Sequence, residues 1–318
     1  MKIPKEVFFV LAAITVISSC KKDEHYGSGP TPTAPVENPL KQVFAQNLVN
    51  AMQQFTVNAT TGGSIQGQDG VYMYFGPNAF RTQSGSLVAG SVDLELVEAL
   101  TVGDMLWLNK QTLGNDNGQL RPLVSGGQFF ISAEQGGQPL KLAPGASYVN
   151  VPTPSFADPN MAVFSGEVDE DGEIIWDPWN TNPILNAAGE DTSGYNFPND
   201  SLGWINCDYF SPIAPSTDVQ VTCPFGNDHE NTFVWLVFTD QNSMTGVHGG
   251  ADNVFSIGPV YDVPLGMNIT VVALSKINGE YASSFTTTVV TQDLNVPISL
   301  QPTTLAQFGI DAGLCDQH

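Results

Sequence analysis

The chain has 318 residues, enough to bury a sizeable core and to suggest about two domains. Thirty-two acidic side chains against ten basic ones give a net charge of −22, although charged residues make up only 13% of the total. A field of that sign repels nucleic acid and anionic membrane surfaces; it suits solubility in a salty exterior, or a basic or cationic partner. With 31 Gly, 22 Pro and few charged runs, the composition fits a turn-rich all-β protein rather than a helical one.

Residues 1–19 read as a targeting segment. Lys2 and Lys5 make a positive start, and the apolar run from Val7 to Ser19 is too short to span a bilayer as a helix. It ends Ile17-Ser18-Ser19-Cys20, which resembles the bacterial lipobox: an aliphatic residue, two small residues, then the Cys that is lipidated and becomes the mature N-terminus. A Cys20 carrying several acyl chains would anchor stably, where one chain alone binds only marginally. Directly after it, Lys22, Asp23 and Glu24 resemble the export signal that sends Bacteroidetes lipoproteins to the outer face of the outer membrane. The expected location is therefore the cell outer membrane, lipid-anchored and facing the exterior. Residues 20–38 complete a tether, since the stretch Gly27 to Pro35 cannot build a core and its prolines favour an extended spacer.

Asn38-Pro39 can cap and start a helix, which helical spacing of Leu40, Val43, Phe44, Leu48, Met52 and Phe55 extends over 39–55. Its apolar stripe is expected to pack on the β body. The run Val71 to Phe75 is closed by Gly76-Pro77-Asn78, and Ser84-Gly85-Ser86 gives a second turn. In the run Val92 to Leu96, Val92, Leu94 and Leu96 face a core while Asp93 and Glu95 meet water. Joined through turns, these runs read as antiparallel sheet with one polar face. Short strands follow at Gln128 to Ala133, Leu140 to Leu142, Ser147 to Val151 and Met161 to Ser165. Asp171-Gly172 is a hairpin turn between Val168 and the run Glu173 to Trp176. Residues 177–201 are polar and turn-rich, a loop that is either a binding site or a linker.

In the last third, Asp218 to Cys223 alternates, and Thr232 to Phe238 is apolar on both faces, the pattern of a central strand covered on both sides. Asn278-Gly279 marks a hairpin between Ile269 to Leu274 and Tyr281 to Val290, and Thr303 to Ile310 suits a short terminal helix. The expected fold is all-β: two β-sandwich-like modules, 56–156 and 161–318, with an N-terminal amphipathic helix.

The order of Pro77-Asn78-Ala79-Phe80, Gly90 to Leu96, Gly103-Asp104-Met105-Leu106 and Ser125-Gly126-Gly127-Gln128-Phe129 resembles that of a group of uncharacterised Bacteroidetes surface lipoproteins. Their module is similar to the β-sandwich shared by ankyrins, netrin receptors and tight-junction scaffolds. The likeness covers roughly residues 55–135, and Gly203-Trp204-Ile205-Asn206-Cys207-Asp208 resembles a later signature of the same group. It implies a fold more than a chemistry. Of Cys207, Cys223 and Cys315, it implies that Cys207 is a buried thiol inside that signature, which leaves Cys223–Cys315 as the expected disulfide in an envelope that permits one. Some relatives of the sandwich cut themselves at a His-Phe-Ser site. Here Tyr209-Phe210-Ser211 has Tyr in place of the activating His, so that activity is not carried over.

Asp169, Asp171 and Glu173 are candidate calcium ligands, although their spacing lacks the full calcium-loop pattern and Asp-Gly explains itself as a turn. No other cofactor is expected. Trp179 and Tyr195, with Trp176 and Phe197, are candidates for a sugar-stacking platform or for plain core packing. Trp176 is the more core-like and Trp179 the better exposed. His229-Glu230 lacks the second His that a zinc protease carries one helical turn on. The reading preferred on sequence is a non-enzymatic surface lipoprotein with a binding or scaffolding surface whose ligand, a glycan or a protein partner, the sequence leaves open. Next comes a glycan-binding component of an outer-membrane uptake system, marked by exposed aromatics on one face. Last comes a hydrolase, which needs two carboxylates facing each other across a cleft.

Overall fold

Asn38 starts the first helix with its own side chain: Oδ1 accepts the Leu40 N–H at 2.9 Å, and Pro39 takes the first helical position, where no N–H is needed. The computed structural model describes residues 37–152, 158–169, 172–179, 185–186, 194–212, 214–249, 252–258 and 260–316. Cys20, Lys22, Asp23, Glu24 and Asp171 lie outside the described residues. The helix runs Pro39–Ala51, shorter than the predicted 39–55. Met52 is already extended, and Gln53–Asn58 is a strand that sets Phe55 opposite Leu94. A ladder with a long neighbouring strand outweighs helical spacing at those last positions.

The fold is all-β with sandwich-like modules. The described strands form a nine-stranded sheet, a five-stranded sheet, an eight-stranded sheet and a two-stranded ribbon. In the strand Ser91–Ala99, Val92, Leu94 and Leu96 are buried while Asp93 is exposed and Glu95 half-buried, as the alternation requires. Its neighbours are Gln53–Asn58 and the long strand Gln119–Gln135. Tyr72–Phe75 belongs to the five-stranded sheet instead, so the two early runs share a core across a sandwich and are not paired strands. Periodicity fixes which side of a strand is apolar; it does not say which strand lies beside it.

The first module also extends further than 156. Ala162–Val168, Ile174–Pro178 and Gly203–Phe210 join the nine-stranded sheet, and Gly194–Asn199 joins the five-stranded one. Ile205 and Cys207 fill the first core from Gly203–Phe210, which pairs with the long strand from Leu123 to Ile131. Much of the predicted 177–201 loop therefore lies outside the described residues or is strand.

The second module begins near Ser216. Its eight-stranded sheet closes on a core of Val219, Val221, Leu236, Phe255, Val271 and Val296. Thr232–Phe238 is central, paired on both sides, and it serves two cores. Val234, Leu236 and Phe238 face the second module's own core, while Trp235 and Val237 enter a core shared with the first helix and the first module. Asn278 and Gly279 both have positive φ, 53° and 88°, the hairpin geometry their dipeptide favours. The terminal helix Leu305–Gly313 is capped by Thr304 and buries Phe308 and Ala312 in the shared core.

Leu94→Ala should cost about 2–5 kcal/mol in denaturant unfolding, through lost burial and the cavity left behind. Glu95→Gln should cost much less, about 0.5 kcal/mol, because Glu95 lies half-buried on the opposite face and the amide keeps an acceptor for Ser132. Equal costs would mean the two faces are exchanged.

Candidate functional site

A cleft of about 380 Å³ opens where the first helix and both modules meet. Phe233, Trp235 and Phe255 give it an apolar wall, and Lys41, Asp169, Glu173, His229 and His248 line it with charge and imidazole. The hairpin between Ala162–Val168 and Ile174–Pro178 delivers the two acids. Asp169 Oδ1 accepts the Glu173 N–H at 2.9 Å, so that carboxylate is tied into its own turn. Lys110 Nζ donates to the Gly172 carbonyl at 3.0 Å and sits 5.8 Å above the Trp204 ring. Burial pushes its pKa down, and Asp169 and Glu173 pull it part of the way back. Glu173 Oε1 lies 3.9 Å from His248 Nδ1, near enough for an ion pair when the imidazole is protonated and too far for an orienting hydrogen bond. The His229 carbonyl accepts Asn38 Nδ2 at 2.9 Å, which fixes that wall to the start of the first helix. Among the described residues, no group of three or more His, Cys, Asp or Glu side chains gathers as a metal site. The cleft's charged and imidazole lining suits a polar ligand.

A second polar cluster lies inside the first module. Ser125 to Gln128 and Asn206 to Asp208 meet across the ladder, with a bulge between Asn206 and Asp208. A side chain on Gly126 would meet the Tyr195 ring at 2.5 Å, and Gly127 holds φ at 111°. These glycines let the two strands close over polar groups. Ser125 Oγ donates to Asn206 Oδ1 at 3.1 Å, and Asn206 Nδ2 donates to Asp208 Oδ2 at 2.6 Å. Gln128 Nε2 donates to the Lys110 carbonyl at 2.8 Å. Asp208 is fully buried, and among the described residues its Oδ1 has no hydrogen-bond partner. Burial holds its carboxyl well above the ordinary carboxylate range, against smaller opposing pulls from the Ser125 hydroxyl and the Gly126 N–H. Burial favours its neutral form and leaves it out of reach of solvent. Its work is architectural.

The aromatic platform expected at Trp179 and Tyr195 needs correction. Tyr195 is 1% exposed; its hydroxyl accepts the Asp158 N–H at 3.0 Å, and burial pushes its pKa up. Trp179 is half-buried against the same core, and Trp176 and Phe197 are buried outright. Tyr195 and Phe197 alternate inward from Gly194–Asn199, a period hidden in sequence by the asparagines and proline between them. The Cys223–Cys315 disulfide is corrected too: all three described cysteines are free and buried. Cys223 lies in the second module's core and Cys315 in the shared core. Burial pushes Cys223 up to about 12 and Cys315 up to about 11, and holds Cys207 well above its usual value. Ser211 is buried, with Oγ accepting Gln241 Nε2 at 3.1 Å. Sequence reasoning passed over Glu98, a buried carboxylate that accepts the Val71 N–H at 2.7 Å, the Asp69 N–H at 3.0 Å and Gln53 Nε2 at 2.8 Å. Its signal was an acid set among Val97, Ala99 and Leu100.

No protein-family model matches this chain, and no curated protein matches it either.

The raised pKa of Asp208 predicts a pH signature. Its stabilising contribution is whole below the unfolded value near 3.9 and is lost as pH rises toward the folded value. The stability of Asp208→Asn relative to wild type should therefore climb from pH 4 to pH 7, by up to about 1.4 kcal/mol per pH unit in urea unfolding. A difference that does not change with pH would mean the acid is ionised in the folded protein.

Proposed function

We propose that this protein is a lipid-anchored module of the outer membrane, held on the outer face through Cys20 and the signal at Lys22, Asp23 and Glu24, and that it binds a ligand rather than transforming one. One observation carries the reading: among the described residues, the three thiols, the Asp208 carboxyl and the Ser211 hydroxyl are all buried within the frame. A thiol attacks as thiolate, and all three described thiols are buried with raised pKa values. Asp208 is sealed, and the Ser211 hydroxyl is bound by Gln241. A hydrolase of the two-carboxylate kind needs opposed free acids. On the hairpin, Asp169 Oδ1 accepts the Glu173 N–H, so that oxygen is held in the turn. What the body offers to solvent is the cleft and its outer sheet faces.

The tether supports the same reading. Its prolines and glycines would hold the β body away from the lipid surface, and a net charge of −22 would keep that body off anionic headgroups. Calcium at the Asp169–Glu173 turn remains an accessory proposal within this reading.

The test is a detergent-partition assay on cells making wild type or Cys20→Ala. The wild type should enter the detergent phase and the variant should leave it. Replacing Lys22, Asp23 and Glu24 with Ala should lower protease accessibility on intact cells while lipidation stays unchanged. Equal partitioning of Cys20→Ala would overturn the anchor, and unchanged accessibility would overturn surface display.

A further inference from the structure

Strand alternation sends Met73, Phe75, Val149, Val151, Tyr195 and Phe197 of the five-stranded sheet into the first core. The intervening positions make its outer face, and register sets them in rows. Ser64, Tyr74, Tyr148 and Pro198 lie side by side across four strands. Gln66, Tyr72, Asn150 and Asn196 form the next row. Tyr72, Tyr74 and Tyr148 are 38%, 45% and 42% exposed. With strands 4.7–4.9 Å apart, each row spans about 14 Å.

This face carries three exposed rings and no formal charge. None of the sheet's strands, from Gly63–Gln66 to Gly194–Asn199, contains Asp, Glu, Lys or Arg, in a chain that carries 32 acids and 10 bases. The other sheet of the same module carries Asp93 directly across from Glu134, with Glu95 beside them. A cross-strand aromatic pair such as Tyr74–Tyr148 does stabilise a sheet. That accounts for one pair. It does not account for the third ring, and a group of exposed aromatic rings on one uncharged face marks an interaction site.

The chemistry of the rows selects the ligand. A pyranose ring has one face of axial C–H groups and a rim of hydroxyls. A tyrosine offers an apolar ring for the first and a phenol for the second. Asn150 Nδ2 donates to Asn196 Oδ1 at 2.8 Å, which fixes both amides. Among the described residues the Asn150 side-chain carbonyl and the Asn196 NH₂ have no hydrogen-bond partner, so the pair offers an acceptor and donors of the kind a hydroxyl rim uses. Bases also stack on aromatic rings, but a nucleic acid needs cations for its phosphates, and this face has none. The same lack excludes an acidic polysaccharide, which the net charge of −22 would repel as well.

We infer that the outer face of the five-stranded sheet, centred on Tyr72, Tyr74 and Tyr148, is a binding platform for an extended neutral glycan. The inference rests on the binding-module reading above and is independent of the anchor at Cys20, whose test uses a different variant and readout.

The experiment is affinity electrophoresis of the full chain through gels containing hydroxyethylcellulose, galactomannan, xylan or pullulan, with polygalacturonate as the anionic control. Wild type should be retarded by at least one neutral polymer and not by polygalacturonate. Tyr74→Ala and Tyr148→Ala should each weaken retardation roughly two- to tenfold, the range expected for one stacked ring. Tyr148→Phe keeps the ring and should keep most of the binding. Thermal melting checks the fold. If an alanine variant melts early, Asn196→Asp supplies the second test, because it puts a charge on the same face without removing a ring and should also weaken retardation. No retardation of wild type in any neutral gel would overturn the inference. So would retardation that survives the ring and amide changes, or stronger retardation by polygalacturonate.

Discussion

Two buried indoles, one from each module, hydrogen-bond to the same short segment. Trp176 Nε1 donates to the Gln111 carbonyl at 2.7 Å, and Trp235 Nε1 donates to Asn109 Oδ1 at 2.8 Å. Asn109 sits at φ 51° as the cap of the helix Val102–Leu108 and turns the chain toward both partners. Gln111 then uses both ends of its amide, accepting the Gly246 N–H at 3.0 Å and donating to the Ile174 carbonyl at 3.2 Å. Thr112 shares a 2.7 Å hydrogen bond with Ser243 and accepts the Met244 N–H at 3.0 Å. An orphaned buried donor costs about 1–3 kcal/mol, so a slip of this segment by one residue would strand several at once. The arrangement of the two modules follows from that penalty.

Around this seam the shared core assembles. Phe44 meets Trp235 edge-on with centroids 5.7 Å apart, Phe233 stacks on the same indole at 5.8 Å, and Phe308 lies 6.3 Å away. First helix, second module and terminal helix are thus packed on one side chain. The cleft is the rim of this contact, which is why it draws Lys41, Glu173 and His248 from three separate parts of the chain. The tyrosine face gains rigidity from the first core beneath it, and Glu98 pins the loop that leads into Tyr72. A platform ordered before its ligand arrives loses less entropy on binding.

Much of the frame was legible in the sequence. Asn38-Pro39, the alternation around Leu94, the two-faced apolar strand at Trp235 and the Asn278-Gly279 turn all act locally, and local rules predict them. Strand partners and module limits were not legible, because they depend on contacts between residues far apart, such as Asn206 opposite Gln128. The helix Val102–Leu108 had a signal that went unread: Thr101 and Asp104 form a capping box. The site was less legible still. Trp179 and Tyr195 looked exposed because their neighbours are polar, while Tyr72, Tyr74 and Tyr148 passed as ordinary strand residues. Only register sets Tyr74 beside Tyr148 and groups the exposed rings on one sheet.

The central claim is that a single seam makes two β modules one cooperative body. Differential scanning calorimetry of the full chain tests it most directly, since a two-state unit has equal calorimetric and van't Hoff enthalpies. The account predicts one endotherm with a ratio near one, unfolding both modules together. Two resolved endotherms, or a ratio well above one, would show that the modules fold independently and would contradict it.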